Sequence, residues 1–310
     1  MVDLYVIADI GGTNSNFALF DKDKNKILYN KKYMTNDYLD VYEIINDFIN
    51  IVIEKHKSLP YKAVLAIAGI IDEKHTLLTN SKLIIDKSII SKKTSLKEIS
   101  FVNDFIAVAY SVNEASFNDC IVVQKNSSPY QPQLFMGAGT GFGKAVKVKD
   151  IVLESEAGHS SFPIQDKNDF ELVEFAKKKL EKKIIETEDI LSGKGIEIIY
   201  EFLSKSHKQS YVISSDVEKD KFAKKTFKLF YKYYARTCRN FALDMLCSEI
   251  FLSGGIIQKN DFSHKDFIRE FTDNKTHKAY LESVGINIIK NSDMHLLGIG
   301  NMIYTDKKKF

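Results

Sequence analysis

The chain has 310 residues, of which 44% are hydrophobic and 27% are charged, a balance typical of a globular protein and not of a disordered one. Its formal net charge is only +3, because 44 basic side chains are interspersed among 41 acidic ones. That balance excludes the basic face of a nucleic-acid-binding protein and favours a small molecule as partner. The length predicts two domains of ordinary size.

The cysteines and the apolar runs of the sequence indicate whether the protein has disulfides or a structural metal site, and where in the cell it is located. Cys120, Cys238 and Cys247 are odd in number and widely spaced, so the sequence predicts neither a disulfide framework nor a structural zinc site. No apolar stretch approaches the length of about 18 residues that a membrane-spanning helix needs. An acidic residue, Asp3, stands where a signal peptide carries bases. We therefore expect a cytoplasmic protein with no membrane partner.

Apolar periodicity in the first third of the chain predicts a layered α/β domain. Three strand-like runs come first, and glycines lie in the turn between the first two. A helix-like run then precedes two further buried strands. The order over the first ~110 residues reads βββαβαβα, which predicts helices packed on a sheet. The predicted strands cover 3–9, 14–21, 26–35, 62–69 and 99–104, and the first helix covers 38–56.

The pattern of strand, glycine turn and strand begins again at residues 134–148. Its Gly139-Thr140 pair falls 127 residues after Gly12-Thr13, so the sequence predicts an internal duplication of the fold. The last predicted helix, 294–304, can pack back onto the first half. Between these segments we predict helices at 168–182, 193–205 and 216–247, a strand and turn at 249–255, and a strand at 286–291.

Residues 9–13 read Asp-Ile-Gly-Gly-Thr. Gly11 and Gly12 let backbone N–H groups approach phosphate oxygens without a Cβ in the way. Thr13 adds a hydroxyl donor, and Asp9 at the end of the strand can hold a hydrated Mg²⁺. An ordinary hairpin also uses Gly-Gly, so this segment alone is equally consistent with a structural turn. No Gly-Lys-Ser/Thr follows it, which excludes a Walker A loop.

A second glycine turn lies at residues 137–143, where four glycines stand within seven positions. That is more than a turn requires and indicates close approach of the backbone to a ligand around Gly139 and Thr140. The spacing is G-x-G-x-G and a strand follows, which argues against a Rossmann dinucleotide site. Two such turns at corresponding points of two halves can clamp one triphosphate between them.

Asn103 and Asp104 form a polar pair between two apolar runs, at a predicted junction of strand and helix. One interpretation is that either side chain caps the helix. The other places a carboxylate at the carboxyl end of a strand, where α/β proteins bind ligands. On that interpretation Asp104 accepts the proton of an attacking hydroxyl, and Asn103 hydrogen-bonds a neighbouring hydroxyl.

A further polar set is split between residues 154–159 and 188–193. Glu156, His159 and Glu188 offer the rigid acceptors and the mixed donor and acceptor groups that a polyol needs. These residues alone do not distinguish a sugar site from ordinary loops.

Taken in order, these segments resemble the bacterial-type glucokinase family of the hexokinase, Hsp70 and actin superfamily. The resemblance runs through nearly the whole chain, and its specificity comes from the joint order of the motifs. The phosphate segments are ADIGGTNSNFAL and MGAGTGFGKA, and the catalytic segment is FVNDFIAVA. The sugar segments are ESEAGH and ETEDILSGKG, the adenosine-side strand and turn are IFLSGGI, and the last helix begins at SDMHLLG.

The resemblance implies an α/β fold of the actin-like (ribonuclease H-like) type, duplicated into two domains around a central cleft. The small domain would comprise residues 1–110 and 296–310, and the large domain residues 111–295. The implied reaction is ATP-dependent phosphorylation of glucose at the 6-hydroxyl, with Mg²⁺ as cofactor. The family also suggests a homodimer.

The resemblance implies a role for each matching residue as well. Asp104 would be the general base. The sugar would contact Asn103, Asp104, Glu156, His159 and Glu188. The phosphates and Mg²⁺ would be held by Asp9 (through water to the metal), Gly11, Gly12, Thr13, Gly139 and Thr140, and the adenosine side by Gly254 and Gly255.

Two departures from the family concern the walls of the sugar site. Ser155 and Ala157 flank the sugar glutamate where the family often has glycine, and Gly69-Ile70 stands where it often has proline. These departures leave the substrate open between glucose and another hexose or an amino sugar.

Two other functional classes share this fold. A nucleotide-switch ATPase would need the phosphate turns but no sugar residues, and the combined motifs argue against it. A transcriptional regulator would need a DNA-binding extension, for which a first strand at residue 3 leaves no room.

Overall fold

The computed structural model describes residues 3–69, 75–77, 84–113, 119–260, 262–291 and 293–305. Ile70, named above with Gly69, lies outside them. The chain forms two compact units, Met1–Asn118 with Asn291–Phe310, and Asp119–Lys290. The divisions thus fall after residues 118 and 290, where the sequence suggested residues 110 and 295.

The elements are numbered in chain order. The strands are β1 (Leu4–Ile10), β2 (Asn14–Asp21), β3 (Lys26–Met34), β4 (Lys62–Ile67), β5 (His75–Leu77), β6 (Ile84–Asp86), β7 (Glu98–Asn103), β8 (Cys120–Gln124), β9 (Gln133–Ala138), β10 (Phe142–Val148), β11 (Ile151–Ser155), β12 (Glu249–Ser253) and β13 (Gly285–Ile289). The α-helices are α1 (Val41–His56), α2 (Lys87–Lys93), α3 (Asp104–Ser111), α4 (Lys167–Leu180), α5 (Thr187–Ile190), α6 (Gly193–Ser204), α7 (Ser210–Ser215), α8 (Lys221–Met245), α9 (Gly255–Lys259), α10 (His264–Phe271), α11 (Lys278–Ser283) and α12 (Met294–Thr305). Short 3-10 turns cover Thr35–Asp37 and Ala157–His159. Among the described residues, no helix combines the length and the apolar character that crossing a membrane requires.

The first unit is built on a sheet with the strand order β3-β2-β1-β4-β7. β1, β2 and β3 form an antiparallel meander, as predicted, and β4 and β7 continue the sheet parallel to β1. Alternate residues of β1 serve opposite faces: Val6 joins the apolar cluster of α1, and Ile7 joins that of α12. Because β1 is covered on both faces, its sequence is an apolar run without alternation.

The last helix, α12, packs against α3 in the first unit, so the expected return of the chain to its first half is confirmed. A Cβ on Gly298 would lie 1.7 Å from the carbonyl oxygen of Ala107, and only glycine permits this approach. Asn301 Nδ2 donates to the carbonyl oxygen of Tyr110 at 2.9 Å. The two helices therefore cover one face of the sheet as a closely packed pair.

The second unit is built on a sheet with the strand order β11-β10-β9-β12-β13-β8. β9, β10 and β11 form an antiparallel meander, and β12 and β13 run parallel to β9. The strands β11-β10-β9-β12-β13, in that spatial order, repeat the order and the directions of the five strands of the first sheet. The strand β8 is added at the edge, antiparallel to β13. The predicted duplication is confirmed.

The helix predicted over 216–247 is confirmed as α8, but it begins at Lys221, five residues later than predicted, and residues 216–220 separate it from α7. Asp220 stands at the break. Its Oδ1 accepts from the N–H of Phe222 at 2.7 Å, which caps α8. Its Oδ2 accepts from the hydroxyl of Tyr200 at 2.7 Å and from Lys208 Nζ at 2.9 Å. These contacts hold Asp220 at the start of a new helix.

Candidate active site

The first glycine turn connects β1 to β2. Gly11 N–H donates to the carbonyl oxygen of Asn14 at 3.0 Å. Thr35 braces the turn from the end of β3, because its hydroxyl donates to the carbonyl oxygen of Gly11 at 2.9 Å and its N–H donates to that of Thr13 at 3.0 Å. Thr13 is exposed and Gly12 is half-buried. The turn is thus held through its carbonyl oxygens. Thr35 was not predicted as a site residue.

Asp9 lies one residue before the end of β1, with its side chain 28% exposed. Its Oδ2 is 3.3 Å from Nδ1 of His295, the second residue of α12. Just before α12, Asp293 Oδ1 accepts from Nδ2 of Asn16 on β2 at 3.2 Å. The start of α12 therefore contacts both strands that flank the first glycine turn. His295 and Asp293 were not predicted as site residues, although both stand in the segment SDMHLLG.

Asn103 ends β7, and Asp104 begins α3. Asn103 is the cap of this helix, since its Oδ1 accepts from the N–H groups of Phe105 at 2.9 Å and Ile106 at 3.4 Å. Its side-chain amide lies 3.5 Å from the carbonyl oxygen of Gly69. Asn103 is only 4% exposed, whereas Asp104 is half-buried. The amide oxygen of Asn103 is occupied by the two N–H groups of the cap. Only its NH₂ group can therefore hydrogen-bond to a hydroxyl group of a ligand.

The register of the first sheet brings Asp9 and the Asn103-Asp104 pair to one edge. Ile10 on β1 pairs with Ile67 on β4, and Ile67 pairs with Asn103 on β7. Since all three strands are parallel, their carboxyl ends meet there. Neighbouring strands are about 4.8 Å apart, so β1 and β7, with β4 between them, are about 10 Å apart.

The second glycine turn connects β9 to β10 and corresponds to the first. Gly139 N–H donates to the carbonyl oxygen of Gly141 at 2.8 Å, and Gly193 N–H donates to that of Gly139 at 2.9 Å. A Cβ on Gly139 would meet no protein atom within 4 Å, and Thr140 is exposed. The start of α6 therefore supports the turn on one side. The contact from Gly193 was not predicted.

Gly254 and Gly255 follow β12, whose last residue, Ser253, pairs with Gly137 on β9. Gly254 has a φ of +94°, and a Cβ there would lie 2.4 Å from the carbonyl oxygen of Ala138. Gly255 has no protein atom within 4 Å of the position of a Cβ. The structure thus brings both glycines beside the second glycine turn. The backbone itself requires glycine only at the first of the two.

Glu156, His159 and Glu188 also come together in the second unit. Glu156 precedes the short turn that ends at His159, and His159 Nε2 lies 3.8 Å from Glu156 Oε2. Glu188 Oε2 accepts from the N–H of Phe142 at 3.2 Å. A Cβ on Gly158 would lie 2.2 Å from the carbonyl oxygen of Phe142 and 3.6 Å from Glu188 Oε2. Phe142 is the first residue of β10, so this polar set adjoins the second glycine turn.

Lys182, Glu186 and Asp189 form a group of charged side chains that contacts His159 at Nδ1. His159 Nδ1 is 3.4 Å from Glu186 Oε2, and Lys182 Nζ donates to the same oxygen at 3.1 Å. Lys182 also donates to Asp189 Oδ1 at 2.8 Å. Burial alone would raise the pKa of Glu186, but Lys182 and His159 together bring that pKa below its ordinary value. Sequence reasoning missed this group, although Glu186 and Asp189 stand in ETEDILSGKG beside Glu188.

Each unit therefore holds its own part of the predicted residues. The first unit carries Asp9, Gly11, Gly12, Thr13, Asn103 and Asp104, and the second carries Gly139, Thr140, Glu156, His159, Glu188, Gly254 and Gly255.

Comparison with known proteins shows the family to which the chain belongs. The family described as Glucokinase matches residues 6–306. The glucokinase of Nostoc punctiforme is 27% identical over 334 residues, which cover 95% of this chain and 97% of that protein. A glucokinase from an Antarctic psychrotroph has a TM-score of 0.76 at 24% identity, covering 99% of this chain and 100% of that one. The glucokinase of Balamuthia mandrillaris, solved with glucose, has a TM-score of 0.81 at 22% identity, covering 98% and 94%.

The structural likenesses establish the fold as the duplicated α/β fold of the actin-like type. The family match spans both units and therefore includes both glycine turns, the Asn103-Asp104 pair and the acidic set around His159. The chain belongs to the glucokinase family and is a sugar kinase.

Proposed function

We propose that this member of the glucokinase family transfers the γ-phosphoryl group of ATP to the 6-hydroxyl of glucose, and that Asp104 takes the proton of that hydroxyl. One observation carries the assignment of the base. The junction of β7 and α3 sets a half-buried carboxylate on the sheet edge that also bears Asp9 and adjoins the first glycine turn. Phosphoryl transfer depends on positioning and charge stabilisation, and a base within reach of the nucleophile completes it.

The environment of Asp104 suits a proton acceptor. As the first residue of α3, it stands at the positive end of the helix dipole, which favours its ionised form. Its Oδ1 accepts from the N–H of Phe105 at 2.9 Å. Asn103 fixes the start of the helix through its cap and so holds the backbone from which Asp104 projects. A positioned base contributes a factor of about 10²–10⁴ in rate.

The glycine turns supply the phosphate side of the proposal. Backbone N–H groups of Gly11, Gly12 and Thr13 in the first unit, and of Gly139 and Thr140 in the second, are the groups we assign to the phosphates. Gly254 and Gly255 are assigned to the adenosine side. The open space beside Gly139 and Gly255 supports these roles, because packing within the protein gives no reason for glycine at either position.

Asp9 is the residue we assign to Mg²⁺, through a coordinated water. The described residues hold no cluster of three or more His, Cys, Asp or Glu that could bind a metal by themselves. A single carboxylate fits this ion, since Mg²⁺ keeps several waters and commonly binds one or two carboxylates together with the phosphates of its nucleotide. When bound, Mg²⁺ neutralises charge on the phosphates.

We assign Glu156, His159 and Glu188, together with the NH₂ group of Asn103, to the hydroxyl groups of the sugar. Carboxylates accept hydrogen bonds from hydroxyl groups and donate none. The set therefore favours a substrate with several free hydroxyls, as glucose has.

On the family resemblance we also propose that the enzyme is a homodimer and acts in the cytoplasm. Light scattering of the purified protein tests whether it is a homodimer.

Replacement of Asp104 tests the assignment of the base. We expect Asp104→Asn to lower kcat by at least ~10²-fold and to leave glucose affinity nearly unchanged, because only the proton acceptor is lost. Steady-state kinetics give kcat, and calorimetry gives the Kd for glucose. Asp266, in the first turn of α10, is a matched control, and Asp266→Asn should keep wild-type kcat. Wild-type turnover by Asp104→Asn would remove Asp104 from the mechanism.

A further inference from the structure

The ring of His159 contacts two carboxylates unequally. Its Nδ1 is 3.4 Å from Glu186 Oε2, whereas its Nε2 is 3.8 Å from Glu156 Oε2. Only the first distance is within reach of a hydrogen bond. Nδ1 and Nε2 therefore differ in their surroundings, and the contact with Glu186 determines which of them carries hydrogen.

Glu186 is held as an ionised acceptor. Lys182 Nζ donates to its Oε2 at 3.1 Å and to both oxygens of Asp189, at 2.8 and 3.0 Å. The backbone N–H of Glu186 donates to Asp189 Oδ2 at 2.9 Å, which fixes the main chain at the start of α5. The pKa of Glu186 stays below its ordinary value despite its burial, because of Lys182 and His159. An ionised carboxylate only accepts, so the hydrogen of this bond belongs to Nδ1.

We propose that Glu186 is a positioning residue that fixes the tautomer of His159, with hydrogen on Nδ1 and the lone pair of Nε2 free to accept from a sugar hydroxyl. A neutral imidazole has one donor nitrogen and one acceptor nitrogen, and the partner of one sets the role of the other. This inference rests on the proposed role of His159 as a sugar ligand.

The tautomer of His159 bears on which sugars the site favours. With Nε2 as an acceptor, His159 joins Glu156 and Glu188 in a set composed of acceptors alone. Such a set is satisfied by hydroxyl groups that donate, and it leaves an acceptor without a partner when a hydroxyl is methylated or oxidised to a carboxylate. Free hydroxyls are therefore required on the part of the sugar that meets these three side chains.

The chain contains a matched control group. Lys179 Nζ lies 2.8 Å from Glu201 Oε2, and His207 Nδ1 lies 3.5 Å from the same oxygen. This is the same combination of lysine, glutamate and histidine, at the end of α6 and apart from the proposed ligands. Replacement of Glu201 removes an equivalent ion pair and an equivalent histidine contact, but it should not affect the sugar.

The tautomer can be measured directly, without catalysis, by ¹⁵N NMR of the histidine rings at about pH 8.5, where an ordinary histidine is neutral. Spectra of a His159→Gln variant assign the His159 signals. We expect hydrogen on Nδ1 in the wild type, and a shift of hydrogen toward Nε2 in Glu186→Ala, while His207 is unchanged. Hydrogen on Nε2 in the wild type, or an unaltered His159 signal in Glu186→Ala, would overturn the proposal.

Binding supplies the second readout. Glu186→Ala should raise the Kd and KM for glucose about tenfold, the weight of one hydrogen bond to a charged group, with kcat and the KM for ATP little changed. Glu186→Gln keeps an acceptor oxygen and should recover part of the loss, and Glu201→Ala should match the wild type. The variant His159→Ala distinguishes the role of His159 from that of Glu186. If it weakens glucose binding and Glu186→Ala does not, the positioning role alone fails; if it has no effect, the role of His159 as a sugar ligand fails too.

Discussion

Gly139 and Gly254 lie close together in the second unit, one in the turn after β9 and the other after β12. Gly139 has open space where a Cβ would be, and its backbone is not in the left-handed region. Gly254 has a φ of +94° and faces the backbone of Ala138 at 2.4 Å from the position of a Cβ. The path of the chain therefore requires glycine at Gly254, whereas neither the backbone nor the packing requires it at Gly139, where we propose that a phosphate approaches.

Alanine substitution at these two positions separates binding from stability. Gly139→Ala should change the free energy of unfolding by less than ~0.5 kcal/mol but raise the KM for ATP, because its methyl group occupies the space we assign to phosphate. Gly254→Ala should lower the free energy of unfolding by about 1–3 kcal/mol through backbone strain alone, and the clash with Ala138 adds to this. Thermal melting and ATP kinetics of both variants provide the check. Equal losses of stability would contradict the distinction.

At the residue scale, the sequence predicted the candidate site residues that stand in recognisable motifs. It did not predict the residues that contact them and hold them in place. Asp104 and Asn103 were predicted at a junction of strand and helix, and they are there. Which of them caps the helix was left open, because either side chain can reach the same N–H groups, and the structure assigns the cap to Asn103. Thr35 contacts the first glycine turn, and His295 contacts Asp9, each from a distant segment of the chain. The periodicity of apolar residues carries no information about such contacts.

Among the elements, the pair of α3 and α12 depends on a single small residue. Gly298→Ala should separate these helices, because the added methyl group would otherwise lie 1.7 Å from the carbonyl oxygen of Ala107. We expect a loss of about 1–3 kcal/mol, typical of overpacking, and a melting temperature lower by several degrees. Leu297 on the same helix is 37% exposed and serves as the control. A Gly298→Ala variant as stable as Leu297→Ala would show that the two helices do not need this close contact.

The main helices and strands could be predicted wherever buried apolar residues follow one another or recur at a regular spacing along the chain. The meander of β1 to β3, the helix α1 and the last helix α12 follow from runs of apolar residues, which recur at helical spacing in α1. The strands β8 and β11 were missed, since they lie at the edges of the second sheet and expose apolar residues, among them Val122 at 46% and Ile151 at 64%. The helix α8 was predicted, but its start was placed at 216 and not at Lys221, because the contacts of Asp220 with Tyr200 and Lys208 are tertiary.

At the scale of the whole molecule, the order of the motifs predicted the duplicated fold, because two glycine turns in equivalent places require two equivalent sheets. The two sheets do share their strand order from the meander through the two parallel strands. The identity of the sugar could not be predicted in this way. We infer that it depends on the acceptor set around His159. His159 contacts Glu186, to which Lys182 donates, and the motif does not reveal these contacts although Glu186 stands within it.

The chain is expected to phosphorylate glucose with ATP, and the most direct test of this activity measures ADP release against a panel of sugars. The panel contains glucose, mannose, fructose, galactose, glucosamine and N-acetylmannosamine, and NMR of the product identifies the phosphorylated hydroxyl. We predict the highest kcat/KM with glucose, a single product phosphorylated at the 6-hydroxyl, and far slower release of ADP when no sugar is present. A higher kcat/KM with another hexose or with an amino sugar, or a product phosphorylated elsewhere, would contradict the account.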